Sequence, residues 1–503
     1  MPLLPSLLSP ETQIFTHCNH ITLYPFLCIK RDRKMRPRMH FDDVAWERSE
    51  DIADSWVDRI FAEEITLRAI GHFIVKYRRG VPVELGDPKA GYFNILFRMK
   101  FQDGGSAIIR FPKPGATMFP EEKVRNEVAA IQYIQDHTSI PVPFILHWGT
   151  RDESPLGLGP FIIMEYINHE MNLSKALNMP ELCIEDRPRL DPNIDISKLE
   201  MLYGQFADIL LQLNKLSLPR IGSLEQIDDF TYEVSCRPLS IHMNELVRLG
   251  TLPRSKLPDT TFESSSSYFD ALAELHIEHL KHQRNDSVDS PTDCQRKYVA
   301  RQLFRRLARD RRLTASTLDH DSGPFKLWCD DLRPSNVLLS ADLQIVGIID
   351  WEFTYASPAE FSAAPPWWLL LEQPEYWPDG IEAWTEVYEN RLQTFLKVLV
   401  EREEALIRSG RLKKEQRLSG QMRESWQSGD FWVSYAARKN FAFDAIYWKK
   451  IDHRFFGAAE TPEDAWEKRF ELLDEEERES MESLVQQKIE DMKERVLAWD
   501  SNK

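Results

Sequence analysis

The stretch Leu327–Ser340, "LWCDDLRPSNVLLS", places two carboxylates, a proline and an asparagine in a short and otherwise largely apolar segment. Asp331 and Asn336 stand five residues apart, and Pro334 restricts the backbone between them. Catalytic loops for phosphoryl transfer have this spacing between the aspartate that orients a hydroxyl and the asparagine that binds Mg²⁺. The stretch therefore predicts a loop with one catalytic acid and one metal ligand.

A β-hairpin is predicted directly after this loop. The segment "NVLLSADLQIVGIID" has the pattern of a strand, a turn at Ala341–Asp342 and a second strand. Such a hairpin would return Asp350 to a position beside Asn336, so that two oxygen ligands for Mg²⁺ come from neighbouring strands. Taken singly, Asp331 could be a solvated loop acid and Asp350 a capping residue. The combination of loop, hairpin and second acid favours a metal-dependent site.

Composition restricts the classes of partner. The chain has 503 residues, of which 42% are hydrophobic, and this is enough for two or three packed units. Its 80 acidic and 63 basic residues give a net charge of −17, which disfavours nucleic acid as a partner. No run reaches the roughly 20 apolar residues of a membrane helix. The six cysteines form no C-x-x-C motif, so we expect reduced thiols and a cytoplasmic protein. No pattern assigns an oligomeric state.

The first 40 residues carry six Lys or Arg against two acids, and all six basic residues lie in "KRDRKMRPR". A targeting signal, or a true start at Met35 or Met39, is an alternative to the disordered basic tail that we predict for residues 1–40. A metal set could also be drawn from this segment, but its irregular spacing is untypical of zinc sites. Its members are His17, Cys18, His20 and Cys28.

Residues 41–168 are predicted to form an antiparallel sheet with one helix. "YFNILFRMKFQDGGSAIIRFPKPG" indicates two strands joined at "QDGG", and "IPVPFILHWG" and "GPFIIMEYI" indicate two more. Short apolar alternation begins near Phe73. A helix should start at Pro120, because proline suits the first turn and one apolar face follows. That face comprises Val124, Val128, Ile131 and Ile134.

Residues 169–460 have mainly helical patterns, and residues 461–503 should form a charged C-terminal helix. One predicted helix, residues 296–314, should have a basic outer face. Trp367 and Trp368 are interpreted as core residues. In the C-terminal helix a heptad-like stripe should pack on the chain's own domain, with a partner helix as the alternative. The stripe comprises Val485, Ile489, Met492 and Val496.

The first unit should hold a nucleotide if the loop transfers phosphate. In kinases a strand lysine that grips the phosphates is held by a helix carboxylate, and here Arg110 and Glu127 occupy those places. Arginine can bind phosphate oxygens, although its planar fork differs from an ammonium group. Backbone groups of a hinge at Glu165–Ile167 could bond adenine. The segment "GYFNILF", with Gly91 and Asn94, would supply a glycine-poor phosphate-covering loop.

Several segments together resemble the aminoglycoside phosphotransferase family. They are "CDDLRPSNVLL" with "GIIDWEF", "GYFNILFRMKFQDG", "AIIRFP", "NEVAAIQYIQDHTSIPVP" and "FIIMEYI". This family comprises protein-kinase-like small-molecule kinases and includes the choline kinases, and this chain looks closest to a little-characterised eukaryotic branch. The resemblance covers about residues 70–400. It implies an α+β fold of two lobes, a small antiparallel-sheet N-lobe and a large helical C-lobe with a helical insert.

The resemblance also implies the chemistry: the γ-phosphate of ATP moves to a hydroxyl of a small-molecule acceptor, with Mg²⁺. At the matching positions Asp331 would be the catalytic base, and Asn336 and Asp350 would bind the metal. Arg110 and Glu127 would form the phosphate-anchoring pair. Glu352 would support the site or contact a cationic acceptor, and the insert 170–325 would build the acceptor pocket or its lid.

The chain departs from the family at two positions. Cys329 stands where the family has a histidine that braces the catalytic loop, and Arg110 stands where it has lysine. These departures motivate an alternative hypothesis, a catalytically silent nucleotide-binding scaffold or regulator. No A-P-E motif follows Asp350 at the usual distance, so a polypeptide acceptor is not expected.

Overall fold

The computed structural model describes residues 38–183, 186–314, 321–459 and 464–498. The predicted basic tail lies outside the described residues except for its last three positions, and the metal set drawn from His17 to Cys28 lies outside them entirely. No helix within the described ranges is both long enough and apolar enough to cross a bilayer.

Two helices that we did not predict precede the sheet, α1 (Asp43–Ala62) and α2 (Glu64–Arg78). Asp42 caps α1 by accepting a hydrogen bond from the backbone N–H of Ala45. Their apolar side chains, among them Trp56 and Ile70, pack on one face of the sheet. The prediction of a sheet with one helix was therefore incomplete, and Phe73 belongs to α2 rather than to a strand.

The sheet of the N-lobe has six strands in the order β1–β3–β4–β6–β5, with β2 beside β3, and all pairings are antiparallel. Its strands are β1 (Pro82–Leu85), β2 (Lys89–Ala90), β3 (Asn94–Phe101), β4 (Ser106–Pro112), β5 (Ile145–Gly149) and β6 (Phe161–Glu165). Alternate side chains of β3 are buried, as expected for a strand with one face on a core. The predicted hairpin is confirmed, because Asn94 pairs with Pro112 and Lys100 with Ser106.

Helix α3 (Pro120–His137) covers the other face of the sheet, with proline in its first turn as predicted. Val124 and Val128 pack against Ile162 and Met164 of β6. This packing fixes which side of α3 faces the interior. The polar residues on the inward side of α3 therefore lie between the sheet and the C-lobe.

The C-lobe begins as the chain leaves β6. The backbone N–H of Glu170 donates to the carbonyl of Leu339, and β7 pairs with the later strand β11. The elements up to the catalytic loop are β7 (Met171–Asn172), α4 (Leu173–Leu177), α5 (Ile196–Lys215), β8 (Ser223–Asp228), β9 (Thr231–Cys236), α6 (Ile241–Leu249), α7 (Ser265–His282), α8 (Pro291–Arg309) and β10 (Lys326–Cys329).

The remaining elements complete the helical lobe. They are β11 (Val337–Leu339), β12 (Ile345–Ile348), β13 (Thr354–Ser357), α9 (Ala359–Ala363), α10 (Gly380–Arg408), α11 (Ser419–Ser428), α12 (Asp430–Arg438), α13 (Phe443–Ile446), α14 (Asp452–Phe456), α15 (Ala465–Phe470) and α16 (Glu475–Asp491). A small sheet made of β7, β11 and β12 carries the segment after the loop. The fold is thus the predicted α+β, kinase-like arrangement of a sheet lobe and a helical lobe.

Two predictions about helix faces were confirmed only in part. Near the end of α8, Arg306 and Arg309 are 39% and 55% exposed, as a basic outer face requires. In α8 the basic residues Arg296, Lys297 and Arg301 are buried, and Arg301 forms an ion pair with Asp444 at 2.6 Å. A basic residue can lie inside when a carboxylate satisfies it, and that partner is distant in sequence.

In the C-terminal segment, α16 ends at Asp491, so Met492 and Val496 lie beyond the helix and are exposed. The face that is buried instead comprises Met481, Leu484 and Lys488.

Candidate active site

The loop after β10 brings Asp331 and Asn336 into contact. A short 3₁₀ turn at Pro334–Asn336 reverses the chain. The Nδ2 atom of Asn336 then donates to the Asp331 carbonyl oxygen at 2.8 Å and to its carboxylate at 3.0 Å. Because the amide nitrogen is directed at Asp331, the amide oxygen of Asn336 faces away from it.

The predicted hairpin brings Asp350 to this loop. Val337 pairs with Ile348, and the backbone N–H of Ile349 donates to the carbonyl of Asn336 at 3.0 Å. Asp350 has a positive φ of 58°, a region that aspartate tolerates better than bulky residues. Strained backbone of this kind concentrates at functional sites.

Arg110 links the sheet, helix α3 and the hairpin. Its guanidinium forms an ion pair with Glu127 of α3, and its Nη1 atom lies 2.6 Å from the carboxylate of Asp350. The side chains of Arg110 and Glu127 are 6% and 1% exposed, so both charges depend on their partners. The pair predicted from the sequence therefore forms, and Arg110 additionally holds a residue predicted to bind metal.

A second ion pair across the lobes involves a residue that we did not predict. Lys123, 1% exposed, is paired with Glu352, and its Nζ atom donates to the side-chain oxygen of Asn94 at 2.8 Å. Asn94 in turn donates to Glu352 at 2.8 Å, which closes a three-membered cluster. Lys123 lies four residues before Glu127, on the same face of α3. The four-residue spacing from Glu127 was the feature of the sequence that could have identified Lys123. Asn94 thus belongs to this ion-pair cluster.

Burial shifts the pKa values of the carboxylates in the site. It raises the pKa of Asp350 to about 6, against the opposing effect of Arg110. Burial also raises the pKa of Asp331, with Arg333 opposing it. For Glu352, burial is outweighed by Lys123 and Arg110, and its pKa is lowered. The site therefore holds carboxylates of different proton affinity within one small volume.

Cys329 occupies the place expected for the bracing histidine. Its buried Sγ lies 3.8 Å from the carbonyl oxygen of Asp350 and 3.7 Å from that of Glu352. Both contacts join the strand before the catalytic loop to the segment that carries the second acid. The thiol thus makes a weak version of the brace that a stronger donor would provide.

The glycine-poor loop is closed onto the C-lobe. The backbone N–H of Gly91 donates to the carbonyl of Asn94 at 2.8 Å, which forms a tight turn. Tyr92 donates its hydroxyl to Glu245 of α6 at 3.0 Å, and Arg248 lies 5.0 Å from its ring centroid. The loop therefore bridges the two lobes through a tyrosine.

The predicted hinge is partly engaged within the protein. The N–H of Glu165 donates to the carbonyl of Phe144 at 3.0 Å, and the carbonyl of Ile167 lies 2.8 Å from Nδ1 of His169. The side chain of Ile167 packs on Gly347 of β12, where an added Cβ would lie 2.5 Å from it. Hinge and hairpin therefore touch at a position without a side chain.

The oxygens present fit a magnesium ion. A carboxylate from Asp350 and the amide oxygen of Asn336 are hard ligands, and Mg²⁺ typically takes one or two such groups together with water and phosphate. Among the described residues no three His, Cys, Asp or Glu side chains form a metal cluster of the all-protein kind. Two protein oxygens of this kind would hold Mg²⁺ only together with water and phosphate oxygens.

A pocket of about 60 Å³ adjoins the catalytic loop. Trp328, Asp330, Leu332, Trp367 and Tyr435 are among its lining residues. Trp367 is thus a partly buried wall residue, whereas Trp368 is 4% exposed, as a core residue should be. The region 170–325 contributes three lining residues, and most of the wall comes from the helices after the loop. The three are Leu210, Leu213 and Asn214.

Asp330, next to Asp331, has a structural role in this wall. Its carboxylate accepts from Nε1 of Trp328 at 2.7 Å and from the backbone N–H of Ile241 at 3.1 Å, and Arg438 lies 3.8 Å away. These contacts tie the catalytic loop to helices α6 and α12. The two adjacent acids are therefore used differently.

Comparison with known protein families places the chain among the phosphotransferases. The sequence model of the phosphotransferase enzyme family matches residues 94–389. Clavilactone A biosynthesis cluster protein Y of Ampulloclitocybe clavipes is 25% identical over 292 residues, 56% of this chain and 62% of that protein. Altered inheritance of mitochondria protein 9, a mitochondrial protein of Candida glabrata, is 26% identical over 105 residues, 20% of this chain and 16% of that protein.

The match thus spans less than two thirds of either curated relative. Among solved structures, an ethanolamine kinase of Plasmodium vivax aligns with a TM-score of 0.42 at 12% identity, covering 90% of this chain and 97% of that one.

Proposed function

Because the chain belongs to the phosphotransferase enzyme family, a group of small-molecule kinases, we propose that it transfers the γ-phosphate of ATP to a hydroxyl group of a small molecule, with Mg²⁺. The observation that carries this proposal is the convergence of Asp331, Asn336 and Asp350 beside the buried Arg110. Residues 41–168 would then form the nucleotide-binding lobe, and residues 169–460 the lobe with the catalytic loop.

In this proposal each side chain has one task. Asp331 orients the acceptor hydroxyl and accepts its proton, for which a raised pKa is suited. Asn336 and Asp350 would hold Mg²⁺, which when bound neutralises charge on the phosphates. Arg110, held by Glu127, provides a fixed guanidinium for phosphate oxygens.

The proposal extends to the acceptor and its compartment only in general terms. The pocket beside the loop has aromatic walls and a few polar groups, and its volume of about 60 Å³ admits only a small part of an acceptor. Glu352 is occupied by Lys123, which argues against its use for a cationic acceptor. The four described cysteines are unpaired, in keeping with the cytoplasmic location that we expect.

The test combines nucleotide binding with turnover. Asp331→Asn should leave the thermal shift with ATP and Mg²⁺ intact, while ADP release with a panel of amino alcohols, sugars and aminoglycosides falls at least about 100-fold, as expected for loss of a general base. Asp350→Asn should remove the Mg²⁺-dependent part of the shift. Asp342→Asn, in the exposed turn of the same hairpin, is the matched control and should change neither measurement.

A silent scaffold is the competing function, and the Arg110–Asp350 contact favours it, because that contact occupies a metal ligand. The two hypotheses predict different results. A scaffold would bind nucleotide and release no ADP with any acceptor or with water. ADP release that Asp331→Asn abolishes in a folded variant would eliminate the scaffold.

A further inference from the structure

A second and larger pocket lies apart from the catalytic residues. Its volume is about 620 Å³, within the range of small-molecule sites. Its walls come from α1, from the connection between β4 and α3, from the loop 151–160 and from Arg254 of the C-lobe. None of the residues assigned above to nucleotide, metal or catalysis lines it.

Three arginines from three separate elements line this pocket: Arg59 of α1, Arg151 of the loop and Arg254. The side chain of Arg151 donates to the carbonyl of Gly157 at 3.1 Å, and Arg254 lies 5.2 Å from the ring centroid of Phe119. Within the described ranges, none of the three guanidinium groups has an ion-pair partner, that is, a carboxylate oxygen within 4.0 Å. All three side chains are exposed to the pocket and to solvent.

The nearby acids are already engaged. Glu121 accepts from the backbone N–H of Arg151 at 3.1 Å. Glu122 binds Arg237 through two hydrogen bonds of 2.9 and 2.7 Å. Burial lowers the pKa of Arg254, and the charge of Arg237 lowers it further. The three guanidinium groups thus have no ion-pair partner among the described residues, although the carboxylate of Glu121 stands beside the backbone of Arg151.

The rest of the wall is apolar and well supported. Ile52, Trp56, Met118 and Leu158 line it, together with several prolines. Nε1 of Trp56 donates to the carbonyl of Leu158 at 3.1 Å, which attaches the loop to α1. Apolar walls with a few convergent charged groups are typical of sites for organic ions.

We propose that this pocket binds a small organic anion, a phosphate or carboxylate carried on an apolar body, at a site separate from the phosphate-transfer centre. Arginine forks suit both anions because each presents paired oxygens. Met118 and Pro120 of the pocket adjoin the start of α3, the helix that carries Lys123 and Glu127. A ligand here therefore contacts the element that positions Arg110.

The test uses phenyl phosphate and benzoate as probes of the full chain, by isothermal titration in the presence of saturating Mg²⁺ and a non-hydrolysable ATP analogue. At least one probe should bind, and the double variant Arg59→Gln, Arg254→Gln should weaken it at least about tenfold, or 1.4 kcal/mol. Arg48→Gln, another exposed arginine of α1 outside the pocket, is the matched control and should bind as the wild type does.

The comparison of probes identifies the anion. Preference for phenyl phosphate indicates a phosphate ligand, and preference for benzoate a carboxylate. Absence of binding by both probes to the wild type, equal affinity in the double variant, or displacement by the ATP analogue would overturn the proposal. Because these arginines have no ion-pair partner in the described structure, their substitution should leave the melting temperature unchanged, which separates loss of the site from loss of the fold.

Discussion

At the scale of single residues, the main feature of the site is two ion pairs that join the N-lobe to the C-lobe. Arg110 and Lys123 of the N-lobe contact Asp350 and Glu352, which stand two residues apart in the C-lobe. Buried charges are costly unless they are paired, so each cation stabilises the other lobe as well as its own. Lys123 should therefore be a positioning residue, because its ion pair fixes the position of α3 relative to the C-lobe. The position of Glu127 on the same helix is fixed with it.

Lys123→Met should leave Glu352 buried without its ion-pair partner. The free energy of unfolding should fall by about 3 kcal/mol, the usual cost of breaking a buried pair from one side. The affinity for ATP should also fall, because Glu127 loses its register with Arg110. Denaturant unfolding and nucleotide titration measure the two effects.

The double variant Lys123→Met, Glu352→Gln is the control for this prediction. It should recover part of the stability, since no unpaired charge remains. If the single variant is as stable as the wild type, the ion pair does not hold the lobes together.

At the scale of elements, the hairpin β11–β12 performs two tasks. One end returns Asp350 to Asn336, and its second strand supports the hinge through the contact of Gly347 with Ile167. Placement of the catalytic loop and of the expected adenine site thus depends on one small sheet. A side chain at position 347 should affect the hinge without touching the acids.

Gly347→Ala should displace Ile167, because the new Cβ would lie 2.5 Å from the Cδ1 atom and 3.0 Å from the Cγ2 atom of that side chain. We expect weaker binding of ATP with a smaller effect on stability, since a flexible side chain can move. Gly420→Ala, where no atom lies within 4 Å, is the control. Unchanged ATP affinity in Gly347→Ala would argue against a nucleotide base beside Ile167.

Helix α8 is attached to α13 through a charge. Arg301, fully buried, binds both oxygens of Asp444 at 2.6 and 3.0 Å. Arg301→Met should lower the free energy of unfolding by about 3–5 kcal/mol, because it leaves a buried carboxylate unpaired. Arg309→Met, on the same helix but 55% exposed, should cost less than about 1 kcal/mol. Chemical denaturation of both variants gives the comparison.

At the scale of the whole molecule, stability should depend on pH through buried neutral histidines. His276 of α7 faces the end of α12, with Nε2 3.2 Å from the carbonyl of Ala437 and Nδ1 3.1 Å from the side-chain nitrogen of Asn440. Both ring nitrogens are thus satisfied in one neutral tautomer. Burial lowers its pKa to about 3, and the charge of Arg301 acts in the same direction.

The stability that His276 contributes should therefore be lost as the pH drops below about 6.5, the pKa of histidine in the unfolded chain, whereas Asp350, whose pKa burial raises to about 6, should act in the opposite direction below that pH. The unfolded state takes up the proton while the folded state does not, so the loss approaches about 1.4 kcal/mol per pH unit for each such histidine. Unfolding between pH 7.5 and 5 measures it. His276→Gln should reduce the slope, and His72→Gln, at an exposed position, should not.

The chain's local patterns determined much of the candidate site. The spacing of Asp331 and Asn336, the length of the following hairpin and the helix that begins at Pro120 all depend on neighbours in sequence, so backbone geometry alone places them. Helices α1 and α2 were not predicted, although the buried residues Trp56 and Ile60 of α1 have helical spacing. The basic outer face expected on α8 was confirmed only near its end, because Arg301 is buried by a partner that is distant in sequence.

Only the tertiary structure determined which partner each buried charge has. Arg110 meets Asp350 across 240 residues, Arg301 meets Asp444 across 143, and Lys123 finds Glu352 in the same way. Whether a charged side chain is solvated or buried depends on a partner that only the folded chain supplies, since the energy of a buried charge is set by its surroundings and not by its place in a motif. The same holds for the arginine pocket, whose three cations come from three distant segments.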